Sequence, residues 1–271
     1  MEIWILTVNY KDTKVTEKLI SSLKKCERSN LIKIGVVDNS STKNSLNHLK
    51  RLKQKFSNDF NIVSFRKNKY YWPAAKKLIQ TMKLKYKKYP DWIMICNNDI
   101  AFIDKNFFIK LSNIDKDKFP IIGPDIINQE GKSLNPFMIK PLNKLENIYW
   151  WLYFFSYPSS KIVRQLKKIF KFKKVRKSSI NHKTVYAVHG AAILFSSKFF
   201  KKGGWIDDNF EMYGEELTVA GIAKKLDINI TFYPKLKVLH KEHTATKKID
   251  QKLLFEKAKT SHYYALSTYL K

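Results

Sequence analysis

Ile3-Trp4-Ile5-Leu6-Thr7-Val8 is the first of four short apolar runs, followed by Ile34-Gly35-Val36-Val37, Ile62-Val63-Ser64-Phe65 and Trp92-Ile93-Met94-Ile95-Cys96. Such runs, apolar without polar alternation, are expected of strands buried on both faces. Helical patterns lie between them. Val15, Leu19, Ile20 and Leu23 mark one over Thr13 to Lys25; Leu46, Leu49, Leu52 and Phe56 mark a second; Pro73 to Lys87 reads as a third. Strands alternating with helices predict right-handed crossovers and a parallel, Rossmann-like sheet. Ligands of such sheets bind outside the carboxyl ends of the strands. The side chains to inspect are therefore Asn9, Asp38, Asn68 and Asn97-Asn98-Asp99, although Asn and Asp are also ordinary turn formers.

The second half is less regular. Ile121 to Pro124 reads as a strand, and Val185 to Phe195 as another, interrupted at His189-Gly190. Glu215 to Leu226 reads as a helix, Ile228 to Tyr233 as a strand and Lys247 to Leu270 as a final amphipathic helix. With no repeat and no Gly-, Pro- or Ser-rich linker, one domain over 1–271 is expected. It carries an insertion near 140–183 and a C-terminal helix over 246–271.

The composition sets bounds. Apolar residues make up 44 % of 271 and aromatic residues 14 %, enough for a buried core and too much for a disordered basic tail. The two cysteines, Cys26 and Cys96, have no metal-ligand spacing, which argues against a disulfide scaffold and for a reducing, cytoplasmic compartment. No apolar run approaches the roughly 20 residues of a membrane span, and Met1 leads into a strand rather than a signal-peptide pattern.

The net charge of +29 calls for an anionic partner or a bland origin. Lys outnumbers Arg 47 to 5, as an AT-rich codon bias would produce. The distribution is nonetheless uneven. Between Asn147 and Ile206 there is no Asp or Glu against 13 Lys or Arg, ten of them from Lys161 to Lys183. Tyr149 to Tyr157, just before, has seven aromatics in nine positions. Aromatic and basic blocks together fit an anionic membrane surface met through about 149–177. The alternative is a buried aromatic core with solvated lysines. Nucleic acid also attracts Lys and rings. No recognition motif is present, however, and five acids between Asp207 and Glu216 would repel a polyanion.

Several ligand-binding signatures are missing. The sequence has no Gly-x-Gly-x-x-Gly after the first strand, no P-loop and no Gly-x-Ser-x-Gly. Without a glycine-rich cradle, a divalent cation on carboxylates is the usual partner for phosphate. Asp99, after the most apolar strand, is the best candidate, and its alternative is a plain turn. Glu215 and Glu216 stand at a helix start, where acids favour the dipole, or they supply a general base. His240 could be structural or a ligand; His240-Lys241-Glu242-His243 has metal-like spacing but is weak alone.

Taken in order, these segments resemble inverting nucleotide-sugar glycosyltransferases of family 2 with the GT-A fold, which include bacterial polysaccharide and rhamnosyl transferases. Ile5-Leu6-Thr7-Val8-Asn9-Tyr10 resembles the family's first strand, and Val37-Asp38-Asn39-Ser40-Ser41 its second-strand motif, in which the Asp contacts the nucleoside. Asn97-Asn98-Asp99 resembles the Asp-x-Asp or Asn-x-Asp metal motif, and His189-Gly190-Ala191-Ala192-Ile193-Leu194 the Gly-Ala strand near the acceptor. Gly203-Gly204-Trp205-Ile206-Asp207 and Tyr213-Gly214-Glu215-Glu216 resemble Gly-Gly-Phe-Asp-Glu and Tyr-x-Glu-Asp; Val238-Leu239-His240 resembles the late Val-x-His. The match covers about residues 3–245. Asn68-Lys69-Tyr70-Tyr71-Trp72-Pro73-Ala74-Ala75 departs from Asn-x-Gly-Phe-x-x-Ala-x-Asn by losing the Gly and the second Asn.

The resemblance implies an α/β GT-A fold with a mixed, mainly parallel sheet flanked by helices. About 1–125 would bind the donor and about 126–245 the acceptor. It implies donor contacts from Thr7, Asn9, Asp38, Asn68 and Asn98, and Mg²⁺ or Mn²⁺ on Asp99 with His240. Glu216 would be the base, with Glu215 orienting it or the acceptor. Gly190, Trp205 and Asp207 would face the acceptor, Asp207 alternatively shaping a turn. The absence of Gln-x-x-Arg-Trp, the processive-synthase signature, implies transfer of one sugar from a UDP- or dTDP-sugar to a glycan or lipid-linked glycan in cell-surface polysaccharide synthesis. The enzyme would then stand on the inner face of the cell membrane. The rival readings are a nucleic-acid binder, a nucleotidyltransferase, which should carry a Gly-x-Gly-Thr-Arg loop absent here, and a catalytically silent relative.

Overall fold

The computed structural model describes residues 1–56, 59–169, 181–241 and 250–269. Strands and helices alternate through β1 (Ile3–Tyr10), α1 (Thr13–Lys24), β2 (Ile32–Asn39), α2 (Lys43–Phe56), β3 (Phe60–Phe65), α3 (Tyr71–Tyr86) and β4 (Trp92–Asn97). Next come β5 (Ile100–Ala101), α4 (Phe107–Ser112), β6 (Ile121–Ile127), α5 (Lys144–Phe155), α6 (Tyr157–Ile169) and β7 (Lys183–Val185). The chain ends with β8 (Ala192–Ser196), α7 (Ser197–Lys201), α8 (Glu215–Lys225), β9 (Ile230–His240) and α9 (Gln251–Tyr269).

The strand order is β3-β2-β1-β4-β8-β6-β9-β5, with β7 on β9. The first four are parallel, β8 is antiparallel to β4 and β6, and β6 and β9 are parallel, so the sheet is mixed. β1 is apolar throughout because both its faces are covered. Trp4, Leu6 and Val8 pack with Trp72, Leu78 and Met82 of α3, while Ile3 and Ile5 pack with Leu19 of α1, Leu49 of α2 and Phe107 of α4. Since α1 and α2 cover one face and α3 the other, the chain reverses its progress across the sheet after β3. The crevice that such a reversal makes outside the carboxyl ends of β1 and β4 is where sheets of this kind bind their ligands.

Two sequence expectations change. The single strand over Val185–Phe195 is two strands: β7 pairs with β9, whereas β8 lies between β4 and β6. Residues 186–191 carry the chain from one place in the sheet to the other. The strand expected to stop at Tyr233 continues to His240. Pro234 is tolerated because the β6–β9 register shifts there, and Leu236 and Val238 then resume an inward alternation against exposed Lys235 and Lys237.

α9 closes the second face by lying tightly on α8, where a Cβ on Gly221 would fall 2.2 Å from Tyr269 Cβ. The aromatic block forms α5, and its two readings each describe one side. Trp150 and Phe154 stack on each other and pack on His262 of α9, while Trp151 and Phe155 face outward. Burial pushes the His262 imidazole down to about 4. No described helix is long and apolar enough to cross a membrane. Lys171 to Lys177, Glu242 and His243 lie outside the described residues.

Candidate active site

The carboxyl ends of β1, β2 and β4 are tied by one buried network. Asp38 Oδ1 accepts from Asn9 Nδ2 at 2.9 Å, and its Oδ2 accepts from Ser41 Oγ at 2.5 Å and Ser45 Oγ at 2.7 Å. Thr16 Oγ1 donates to Asn9 Oδ1 at 2.9 Å and accepts from Asn98 Nδ2 at 3.2 Å. Three expected donor residues, Asn9, Asp38 and Asn98, thus converge, with Asn9 and Asp38 fully buried. Thr7 is buried one turn of the pleat earlier on β1, its hydroxyl without a hydrogen-bond partner among the described residues.

Asn68 holds the adjoining loop. Its Oδ1 accepts from Asn39 Nδ2 at 2.7 Å and from Tyr70 N at 2.8 Å, while Asn39 Oδ1 accepts from Lys69 N at 2.8 Å. The loop ends at Tyr70 with φ 58° and ψ −173°, a backbone conformation that belongs almost solely to glycine. Tyr70 therefore keeps the shape of the glycine that the resembled motif has there. Its hydroxyl meets Glu211, which is paired with Lys257 of α9.

On the other side of β4, the short β5 pairs with the end of β9, Ile100 opposite His240. This pairing puts His240 Nε2 3.1 Å from Asp99 Oδ1. Lys241 N donates to the Asp99 carbonyl at 3.0 Å and fixes the turn. A hard carboxylate oxygen and an imidazole nitrogen form a donor set that suits Mn²⁺ or Mg²⁺ when phosphate oxygens and water complete the shell. Among the described residues no three His, Cys, Asp or Glu side chains converge as a closed cage. Asp99 and His240 would leave most of the shell of any such cation to ligand oxygens and water.

His189 continues the cluster, its ring 6.2 Å from that of His240. Asn135 Oδ1 accepts from His189 N at 2.7 Å and holds this turn. The next residue, Gly190, donates its N–H to Glu216 Oε1 at 2.9 Å, and its carbonyl accepts from the Tyr71 hydroxyl at 3.3 Å. A side chain would crowd this point: a Cβ would lie 3.0 Å from both Glu216 Oε1 and Glu215 Cβ. Glu215 is buried at the start of α8. Desolvation, with the neighbouring Glu216 charge adding to it, raises its carboxyl to about 8 against the pull of the Gly214 and Glu215 amides. The Tyr71 phenol is pushed up by burial and by the carboxylates of Glu215, Asp99 and Glu216 around it.

Trp205 presents an indole more than a third exposed. Asp207 is different: it is 1 % exposed, and both oxygens are committed to the protein. Oδ1 accepts from Asn209 N and Nδ2 at 3.0 and 2.8 Å, and Oδ2 from the Tyr264 and Tyr269 hydroxyls at 2.7 and 2.5 Å. Of its two expected roles, the geometry serves turn shaping, with anchoring of α9 added. Sequence reasoning passed over Thr16, Ser45 and Tyr71. The first two read as helix-face polar residues. Tyr71 could have been found as a hydroxyl added at the Phe position of the Asn-x-Gly-Phe pattern.

No family model matches the sequence, and no curated protein sequence matches it either. Solved structures do resemble the fold. GalNAc-T7 with UDP, GalNAc and Mn²⁺ superposes with a TM-score of 0.59 at 15 % identity, over 89 % of this chain and 44 % of that one. Residues 1–349 of S. aureus TarS with UDP-GlcNAc give 0.58 at 11 %, over 90 % and 60 %. The Pyrobaculum calidifontis mannosyltransferase PcManGT with GDP-Man and Mn²⁺ gives 0.52 at 8 %, over 98 % and 70 %. The chain spans about half the length of the first two. These likenesses, with the mixed sheet and its flanking helices, show the GT-A fold.

Two outcomes follow from the geometry. At position 70, Tyr70→Gly should be more stable than Tyr70→Ala by about 1 kcal/mol or more, measured by urea unfolding, because alanine keeps the backbone strain and glycine removes it. Equal stabilities would contradict the strain. For Glu215, the folded chain holds a proton that the unfolded chain releases near 4.5, so stability should fall as pH rises from there to about 8. The slope is at most about 1.4 kcal/mol per pH unit. Tm measured across this range should decline less steeply in Glu215→Gln than in the parent chain, and identical profiles would contradict the assignment.

Proposed function

We propose that the protein is an inverting glycosyltransferase that moves one sugar from a nucleotide-sugar donor to a hydroxyl of a glycan or lipid-linked glycan. The observation that carries this reading is an unbroken line of groups across the crevice: Asp99 to His240 at 3.1 Å, His240 to His189 ring to ring at 6.2 Å, and Gly190 to Glu216 at 2.9 Å. A cation-type pair at one end and a carboxylate pair at the other are what transfer from a diphosphate requires. The neighbours' ligands, UDP, UDP-GlcNAc and GDP-Man, support a nucleotide-sugar donor, and a UDP- or dTDP-sugar is our choice.

Asp99 and His240 would hold Mg²⁺ or Mn²⁺, which when bound supplies positive charge to the departing diphosphate. Asp38, fixed by Asn9, Ser41 and Ser45, shapes the nucleoside end with Thr7, Asn68 and Asn98. With a proton kept on Glu215, Glu216 is the member of the pair left to act as base. Its carboxylate takes the proton of the acceptor hydroxyl. The freed oxygen pair forms the new bond at the anomeric carbon, and the bond to the diphosphate oxygen breaks on the opposite face, its electrons leaving with the nucleotide. Inversion results. Gly190 and Tyr71 keep the base in place, and the exposed Trp205 offers a ring for an acceptor sugar face. We assign Asp207 to anchoring α9 rather than to acceptor contact. The absence of Gln-x-x-Arg-Trp favours single additions over polymerisation, and surface polysaccharide synthesis is the setting this chemistry fits.

In a transfer assay with a matched donor and acceptor, Glu216→Gln and Asp99→Ala should each lower kcat roughly a hundredfold or more. A chelator should stop turnover, and added Mn²⁺ should restore it. Full transfer by both variants would overturn the assignment.

A further inference from the structure

We propose that the α5–α6 hairpin is a docking face for an anionic lipid bilayer. On α5, Ile148, Trp151, Leu152 and Phe155 recur at the three- and four-residue spacing of one helix side, and all are exposed, Trp151 by 55 % and Phe155 by 65 %. Ile162 and Leu166, one turn apart on α6, are exposed as well. The opposite side of α5 is already occupied, because Phe154 packs on Phe255 and His262 of α9. The helix is therefore apolar on both sides, and only one side has a protein partner among the described residues. Contiguous exposed apolar surface of this kind marks a site of interaction.

Charge selects the partner. Lys161 lies over the Tyr157 ring, Arg164 donates from Nε to the Tyr153 hydroxyl at 2.9 Å, and Lys259 of α9 donates to the Phe155 carbonyl at 3.3 Å. No acid occurs between Asn147 and Ile206, the stretch that carries Lys161 and Arg164. A second copy of the chain would bring the same cations to the face and repel it. Anionic headgroups complement them, while Trp and Tyr prefer the boundary between headgroups and acyl chains. Phe137, seven residues ahead of α5, has its ring 6.0 Å from His189. Delivery of a lipid-linked acceptor to that crevice rests on the function proposed above; the docking itself does not.

The test is co-sedimentation of the full chain with phosphatidylcholine vesicles, with and without phosphatidylglycerol, alongside light scattering for oligomeric state. The parent chain should bind the anionic vesicles, less so as salt rises, and scarcely bind the neutral ones. Trp151→Ser with Phe155→Ser should weaken binding roughly tenfold or more, with thermal unfolding unchanged. Lys161→Glu should weaken it while leaving the apolar stripe intact. Undiminished binding by these variants would overturn the proposal, as would a dimer that the Trp151/Phe155 variant dissociates. Vesicle binding is read without donor or acceptor, so a failure of sugar transfer would count against the site and leave this face standing.

Discussion

The peptide at Gly190 joins the two sides of the crevice, and the rest of the site depends on that junction. Its N–H is bound to Glu216 of α8, and its carbonyl to Tyr71 at the start of α3. Its neighbour His189 faces His240 at the end of β9. Three elements distant in sequence are thereby held at one point without any side chain at that point. A methyl group would meet Glu215 and Glu216 at 3.0 Å. Close approach of backbone to carboxylate favours glycine here.

The remaining features supply rigidity around this junction. The Asn9–Asp38–Thr16–Asn98 network ties three strand ends together, so the carboxyl ends of β1, β2 and β4 are fixed before any ligand arrives. Asp207, through Tyr264 and Tyr269, and Glu211, through Lys257, fasten α9 to the loop that leads into α8. Tyr70 carries backbone strain between these two bodies, a place where strain accompanies function in other proteins. Glu215, buried beside the partly exposed Glu216, has its carboxyl pushed up by desolvation and by that neighbouring charge.

Much of this was legible in the chain. β1, β2 and β4 are buried almost throughout, with β3 less so at the sheet edge, which exposes a parallel sheet to simple inspection, and the strand-end rule pointed at Asn9, Asp38 and Asp99 directly. The resemblance to family 2 transferases led to the GT-A fold that the superpositions bear out. What stayed hidden depends on long-range placement. Val185 and Ala192 look like parts of one strand until β9 and β4 claim them separately. Pro234 reads as a stop because its register shift is invisible locally. The commitment of Asp207 to two tyrosines arises from residues 57 and 62 positions away. The two-sided apolar character of α5 shows only once α9 has covered one side.

On the function proposed above, Asp99 and His240 bind a nucleoside diphosphate together with a divalent cation. Isothermal titration of UDP in the presence of Mn²⁺, repeated with the metal omitted and again with Asp99→Ala, tests it most directly. Saturable binding should appear only when the metal and Asp99 are both present, with a matching rise in Tm. Equal affinity in all three conditions would contradict it.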